Sequence, residues 1–111
     1  MNADGHRRKA ERLEATLRKL ADDADFEMVI EACYAAAIHY IALVSDRRTR
    51  QHQDSHKVLP KFLDDRNLPD LATLFRELES LRTPKYYGGQ GDGTSAKEAR
   101  RILAEIKAKL H

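Results

Sequence analysis

ACYAAAIHYIALVS, residues 32–45, is the longest run in the chain without a formal charge, fourteen residues in all. It is too short for a membrane-spanning helix and suits a helix buried at the centre of a bundle. The run continues a pattern that begins at Phe26. Phe26, Val29, Ile30, Cys33, Ala37, Ile41 and Val44 share one side of a helix over about 25–45, and Tyr34, Ile38 and Ala42 widen that side. A helix apolar nearly all round must be covered by neighbours. Its small residues, Ala35, Ala36 and Ala37, permit close approach of another helix or a second subunit.

The flanking segments supply those neighbours. Leu13, Leu17 and Leu20 recur at helical spacing, predicting an amphipathic helix over about 6–22. Asp23 or Asp25 is placed to cap the helix that follows. After residue 45 the pattern breaks into the polar stretch DRRTRQHQDSH. There Asp54 or Ser55 is expected to cap a short helix over 55–64 that holds Val58, Leu59, Phe62 and Leu63. Pro69 suits a first helical position and opens a helix over 69–82, with Leu71, Leu74, Phe75, Leu78 and Leu81 on one face. Thr83-Pro84 stops it. Ser95 and Glu98 have the spacing of a capping box for a last helix over 96–110. No segment alternates with period two. The expected fold is all-α: a single domain over residues 1–111, built as an up-and-down bundle of four to five helices.

Composition narrows the function. Hydrophobic residues make up 41% and charged residues 34%, which suits a small bundle with one apolar stripe per helix. The net charge of +2 is not the footprint of a strong DNA binder. Cys33 is the one cysteine, so an intrachain disulfide and a cysteine-rich metal site are both excluded. The charged N-terminus does not read as a signal peptide, and a cytoplasmic protein without a membrane segment is expected.

Four constellations carry chemistry. His52 and His56 stand at i, i+4 with Asp54 between them and His39 earlier, but no third ligand is evident, so no metal site is expected. Arg50 and His56, with five residues between them, have the types of a ribonuclease pair. The histidine would move the 2′-hydroxyl proton, and the arginine would stabilise charge on the phosphate. Arg82, Lys85, Tyr86 and Tyr87 combine phosphate-holding cations with stacking rings. The glycine-rich KYYGGQGDGTSAKE that follows lacks the terminal Gly-Lys-Ser/Thr of a phosphate loop, and no strand precedes it. Its glycines read as slack before the last helix.

The order ACYAAAIHYIALV, then DSHKVLPKFL, then LRTPKYYGG, then SAKEARRILAEIKAKL resembles the HEPN domain family over roughly residues 10–110. The resemblance implies a helical bundle that pairs as a homodimer, without a cofactor. It implies one of two activities: a metal-independent ribonuclease, or a non-catalytic partner of a minimal nucleotidyltransferase in toxin–antitoxin-like systems, with nucleotide or RNA as ligand. Arg82 matches the family arginine. After four intervening residues stands Tyr87, where ribonuclease members carry histidine. A phenol with a pKa near 10 is a poor base at neutral pH. The expectation is therefore a non-catalytic binding module whose site joins Arg82, Lys85, Tyr86, Tyr87 and His56. A ribonuclease using Arg50 and His56 is the alternative.

Overall fold

The computed structural model describes residues 1–82 and 92–111, and among these the regular structure is all helix, with no strand. Five helices follow in order: α1 (Ala3–Leu17), α2 (Phe26–Thr49), α3 (Leu59–Asp65), α4 (Pro69–Ser80) and α5 (Gly93–Ala108). Polar contacts fix their directions. Tyr34 of α2 reaches Glu79 near the end of α4, whereas Arg48 reaches Asp70 at its start, so α2 and α4 are antiparallel. Asp70 also meets Lys109, and Glu77 meets Arg101, so α5 reverses direction again. Arg100 lies against the carbonyls of Leu17 and Leu20, and Lys107 lies against Glu14, so α1 and α5 are antiparallel too.

The central helix is α2, and it packs chiefly on α1 and α5. Val29, Cys33, Ala36, Ala37 and Ile41 are fully buried there, together with Phe75 and Leu78 of α4 and Ala99 and Ile106 of α5. Burial of this apolar surface, at about 25 cal/mol per Å², is the main term favouring the fold. Among the described residues α2 is the one helix long and apolar enough to cross a membrane. Two thirds of its most apolar window (67%) is buried inside the bundle, as in a core helix.

Several helix ends differ from the expected ones, each for a local reason. α1 begins at Ala3 because the Asn2 side chain caps it, accepting from the Gly5 N–H at 2.8 Å. It stops at Leu17, not near residue 22, and the Arg100 guanidinium takes the carbonyls of Leu17 and Leu20. Asp25 does stand at the N-cap of α2, but its carboxylate accepts from Ala21 N–H at 2.8 Å and makes no cap bond. α2 runs on through the polar residues to Thr49. Arg47 donates to the Leu110 carbonyl and Arg48 to Asp70, and cations suit the negative end of a helix. Arg50 then takes the left-handed conformation, φ 61°, and turns the chain back.

Two capping expectations fail. The short helix begins at Leu59, because the Asp54 carboxylate is drawn to His6 and His52 and caps nothing. Asp92, not Ser95, caps α5. Its carboxylate accepts from Thr94 N–H at 3.0 Å and Ser95 N–H at 3.2 Å, which places Ser95 inside the first turn. A Cβ at Gly93 would lie 1.9 Å from Asp23 Oδ1, so a larger residue there would make the exposed Asp23 side chain swing aside. Pro69 opens α4 at the expected position.

Candidate functional site

Two groups of chemically capable side chains lie on α2, facing different neighbours. The first surrounds Tyr34. Its ring is 5% exposed and stacks on the fully buried ring of Phe75, with centroids 5.5 Å apart. The Arg82 guanidinium lies 3.8 Å above the Tyr34 ring and donates to Glu31 at 2.9 Å. His56, exposed on the loop before α3, meets the same ring edge-on at 6.3 Å. The Tyr34 hydroxyl donates to Glu79 at 3.2 Å. Burial first, then the Glu79 charge, push the phenol up to about 12, so Tyr34 stays protonated at neutral pH.

Two residues expected to share a site, Arg82 and His56, thus converge on a third, Tyr34, which sequence reading placed only in the core stripe. Lys85, Tyr86 and Tyr87 lie outside the described residues. The alternative pair fares differently. Arg50 is the left-handed residue that ends α2, its N–H donating to the Asp46 carbonyl at 2.8 Å. Arg50 and His56 are both exposed, and they share no hydrogen bond or ring contact among the described residues.

The second group forms where α1, α2 and the returning loop meet. His6 is 2% exposed. A carboxylate can only accept, so His6 Nε2–H donates to Asp54 Oδ1, at 2.9 Å. His6 Nδ1 lies 2.8 Å from His39 Nδ1, so in neutral rings the His39 nitrogen donates and the His6 nitrogen accepts. His52 Nδ1–H donates to Asp46 at 2.9 Å, and His52 Nε2 lies 3.1 Å from the same Asp54 Oδ1. The other Asp54 oxygen accepts from the N-terminal ammonium at 2.8 Å. The rings of His6 and His52 meet nearly at right angles, 4.9 Å apart.

Charge is divided unevenly across this group. Burial lowers His6 below the ordinary histidine value despite Asp54, and burial lowers His39 as well, aided by His6 and Lys9. Burial also opposes protonation of His52. The hydrogen bond to Asp46 and the charges of Asp46 and Asp54 outweigh it and raise this histidine. The bond from the N-terminal ammonium, then the bond from His6 and the charge of His52, hold Asp54 below the usual carboxylate range against burial. In the sequence His52 was paired with His56, with Asp54 between them and His39 earlier, but His56 lies at Tyr34 instead. His6 was the missing member. Its signal was its place on the buried α1 stripe, four residues before Ala10 and eleven before Leu17.

Two further features offer little chemistry. Cys33 is buried, and burial pushes its thiol up to about 12, leaving it inert. A groove of 420 Å³ between α1 and α5 is lined by Glu14, Leu17, Arg18, Arg100, Leu103 and Lys107 among others. Lys107 pairs with Glu14 at 3.1 Å there, and Arg100 pairs with Asp22 at 2.6 Å. Compared with known proteins, the chain matches no protein-family model, no curated protein and no solved structure.

Proposed function

We propose that the chain is a non-catalytic, HEPN-type binding module that works as a homodimer. It takes a nucleotide, or a minimal nucleotidyltransferase partner, at the Tyr34 end of the bundle. The observation that carries this reading is the Arg82 guanidinium lying 3.8 Å over the Tyr34 ring with His56 at its edge. A guanidinium held over an aromatic ring can still offer its fork of donors to phosphate or carboxylate. In the sequence Lys85, Tyr86 and Tyr87 follow after Thr83 and Pro84, adding a cation and two rings of the kind that stack on bases. The antiparallel helices are compatible with the expected family fold. Two features support binding over catalysis. The Tyr34 phenol is pushed away from the range of a base, and Arg50 serves as the turn that ends α2.

Calorimetric titration with ATP, GTP and a short RNA tests the reading. At least one should bind, and Arg82→Ala should weaken it about tenfold or more, roughly 1.4 kcal/mol. RNA incubated with the protein in EDTA should remain intact. Cleavage that His56→Ala abolishes would replace the binding module with the ribonuclease. If none of the three ligands binds, the nucleotide half of the proposal falls, and co-purification with a minimal nucleotidyltransferase tests the other half. Light scattering during gel filtration tests the dimer.

A further inference from the structure

We infer that His6, His52 and Asp54 form a binding site for one divalent transition-metal ion of the zinc class. One ligand atom from each of the three lies within 4.8 Å of the others. The Nε2 atoms of both histidines converge on a single carboxylate oxygen, Asp54 Oδ1, at 2.9 and 3.1 Å. Zinc bonds to nitrogen and oxygen of about 2.0–2.1 Å set tetrahedral ligands roughly 3.4 Å apart. Each nitrogen–oxygen pair therefore needs to spread by only a few tenths of an ångström to admit the ion.

The surroundings are those that metal-binding histidines require. A ligating imidazole is oriented by a partner on its other nitrogen. His52 has one in Asp46, 2.9 Å from Nδ1, and His6 has one in His39, 2.8 Å from Nδ1. Both rings are thus locked with Nε2 turned toward Asp54. The three ligands come from α1 and from the loop after α2, and Arg50 in its left-handed turn brings that loop back. Two imidazoles and one carboxylate suit zinc and its d-block neighbours. Magnesium and calcium prefer all-oxygen sets, and the one cysteine is a buried, inert thiol in the core. Three protein ligands leave a fourth position for water.

The protons balance. On binding, His6 Nε2 releases its proton. The ring stays neutral by taking the Nδ1 proton of His39, and His39 takes one from solvent at its own Nε2. The His6–His39 pair thus exchanges no net proton, while any imidazolium form of His52 gives one up. His39 and Asp46 act through their neighbours and are positioning residues.

The test is calorimetric titration of EDTA-treated, dialysed protein with zinc chloride at neutral pH, with cobalt(II) absorption to report coordination geometry. One zinc per chain should bind, and cobalt should give a tetrahedral spectrum. His52→Ala and Asp54→Asn alter partly exposed side chains and should weaken binding beyond the about 10–100-fold expected for an outer partner such as Asp46→Asn. His56→Ala and His111→Ala should leave it unchanged. His6→Gln, checked for fold by circular dichroism, should lose the tetrahedral cobalt spectrum. Absence of stoichiometric zinc binding by the unaltered chain would overturn the site. So would affinity that survives both His52→Ala and Asp54→Asn. The inference does not depend on nucleotide binding at Tyr34, which His52→Ala should leave intact.

Discussion

The Tyr34 group and the histidine group share one helix and differ in what holds them. Tyr34 and His39 are five residues apart on α2, which turns their side chains roughly 140° from one another. Tyr34 therefore faces α4 and His39 faces α1. Around Tyr34 the foundation is apolar: a buried ring on the buried ring of Phe75, with Glu31, Glu79 and Arg82 at its border. Around Asp54 the foundation is polar. Four groups, His6, His52, the N-terminal ammonium and, through His6, His39, are organised by a carboxylate whose side chain is 52% exposed. The first group should respond to packing, and the second to protons and metal ions.

The largest expected effect comes from removing the floor of the first group. Phe75→Ala should destabilise the fold by about 3–5 kcal/mol in urea unfolding, the cost of a fully buried aromatic truncated to alanine. Zinc affinity of the folded fraction should be unchanged. A matching loss of zinc affinity would show that the two regions are one unit.

Alkaline pH probes the same region more gently. The Tyr34 phenol is raised to about 12 in the folded chain against about 10 when unfolded, so the neutral form is favoured by folding. That contribution is complete below pH ~10 and is lost as pH rises towards about 12, on the order of 2–3 kcal/mol. Tyr34→Phe should flatten this part of the stability profile. A profile unchanged by Tyr34→Phe would show that the phenol is not the titrating group.

Asp92→Ala should cost about 1 kcal/mol, by exposing the first-turn donors of α5 that the carboxylate now caps. The histidine group takes no residue from α5, so zinc affinity should hold. The smallest change expected is at Ser45, whose Oγ is the one buried side-chain polar atom without a hydrogen-bond partner among the described residues. Ser45→Ala should be neutral or stabilise by up to about 1 kcal/mol. A clear loss in thermal unfolding would reveal a partner for that hydroxyl beside Asp46.

Much of the fold was legible because helical spacing is a local property. The stripe through Val29, Cys33, Ala37 and Ile41 identified the central helix, and Pro69 marked the first residue of α4. Capping was less legible, because a short polar side chain has several partners to choose from. Asp54 looked like a cap and became the centre of a histidine group. Ser95 looked like a cap and was displaced by Asp92, three residues earlier.

The two sites divide along the same line. Arg82 was singled out by its neighbours in the sequence, but its seat on Tyr34 depends on α2 and α4 lying antiparallel. His6, His39 and Asp54 are 33 and 48 residues apart in the pairs that touch, and no local pattern links them. By itself the sequence determined which segments become helices and which face of each must be buried, since those follow from periodicity and the hydrophobic effect. Only the tertiary structure decided which polar side chains meet, because that depends on where packing α1 and α4 against α2 carries groups that have no attraction along the chain.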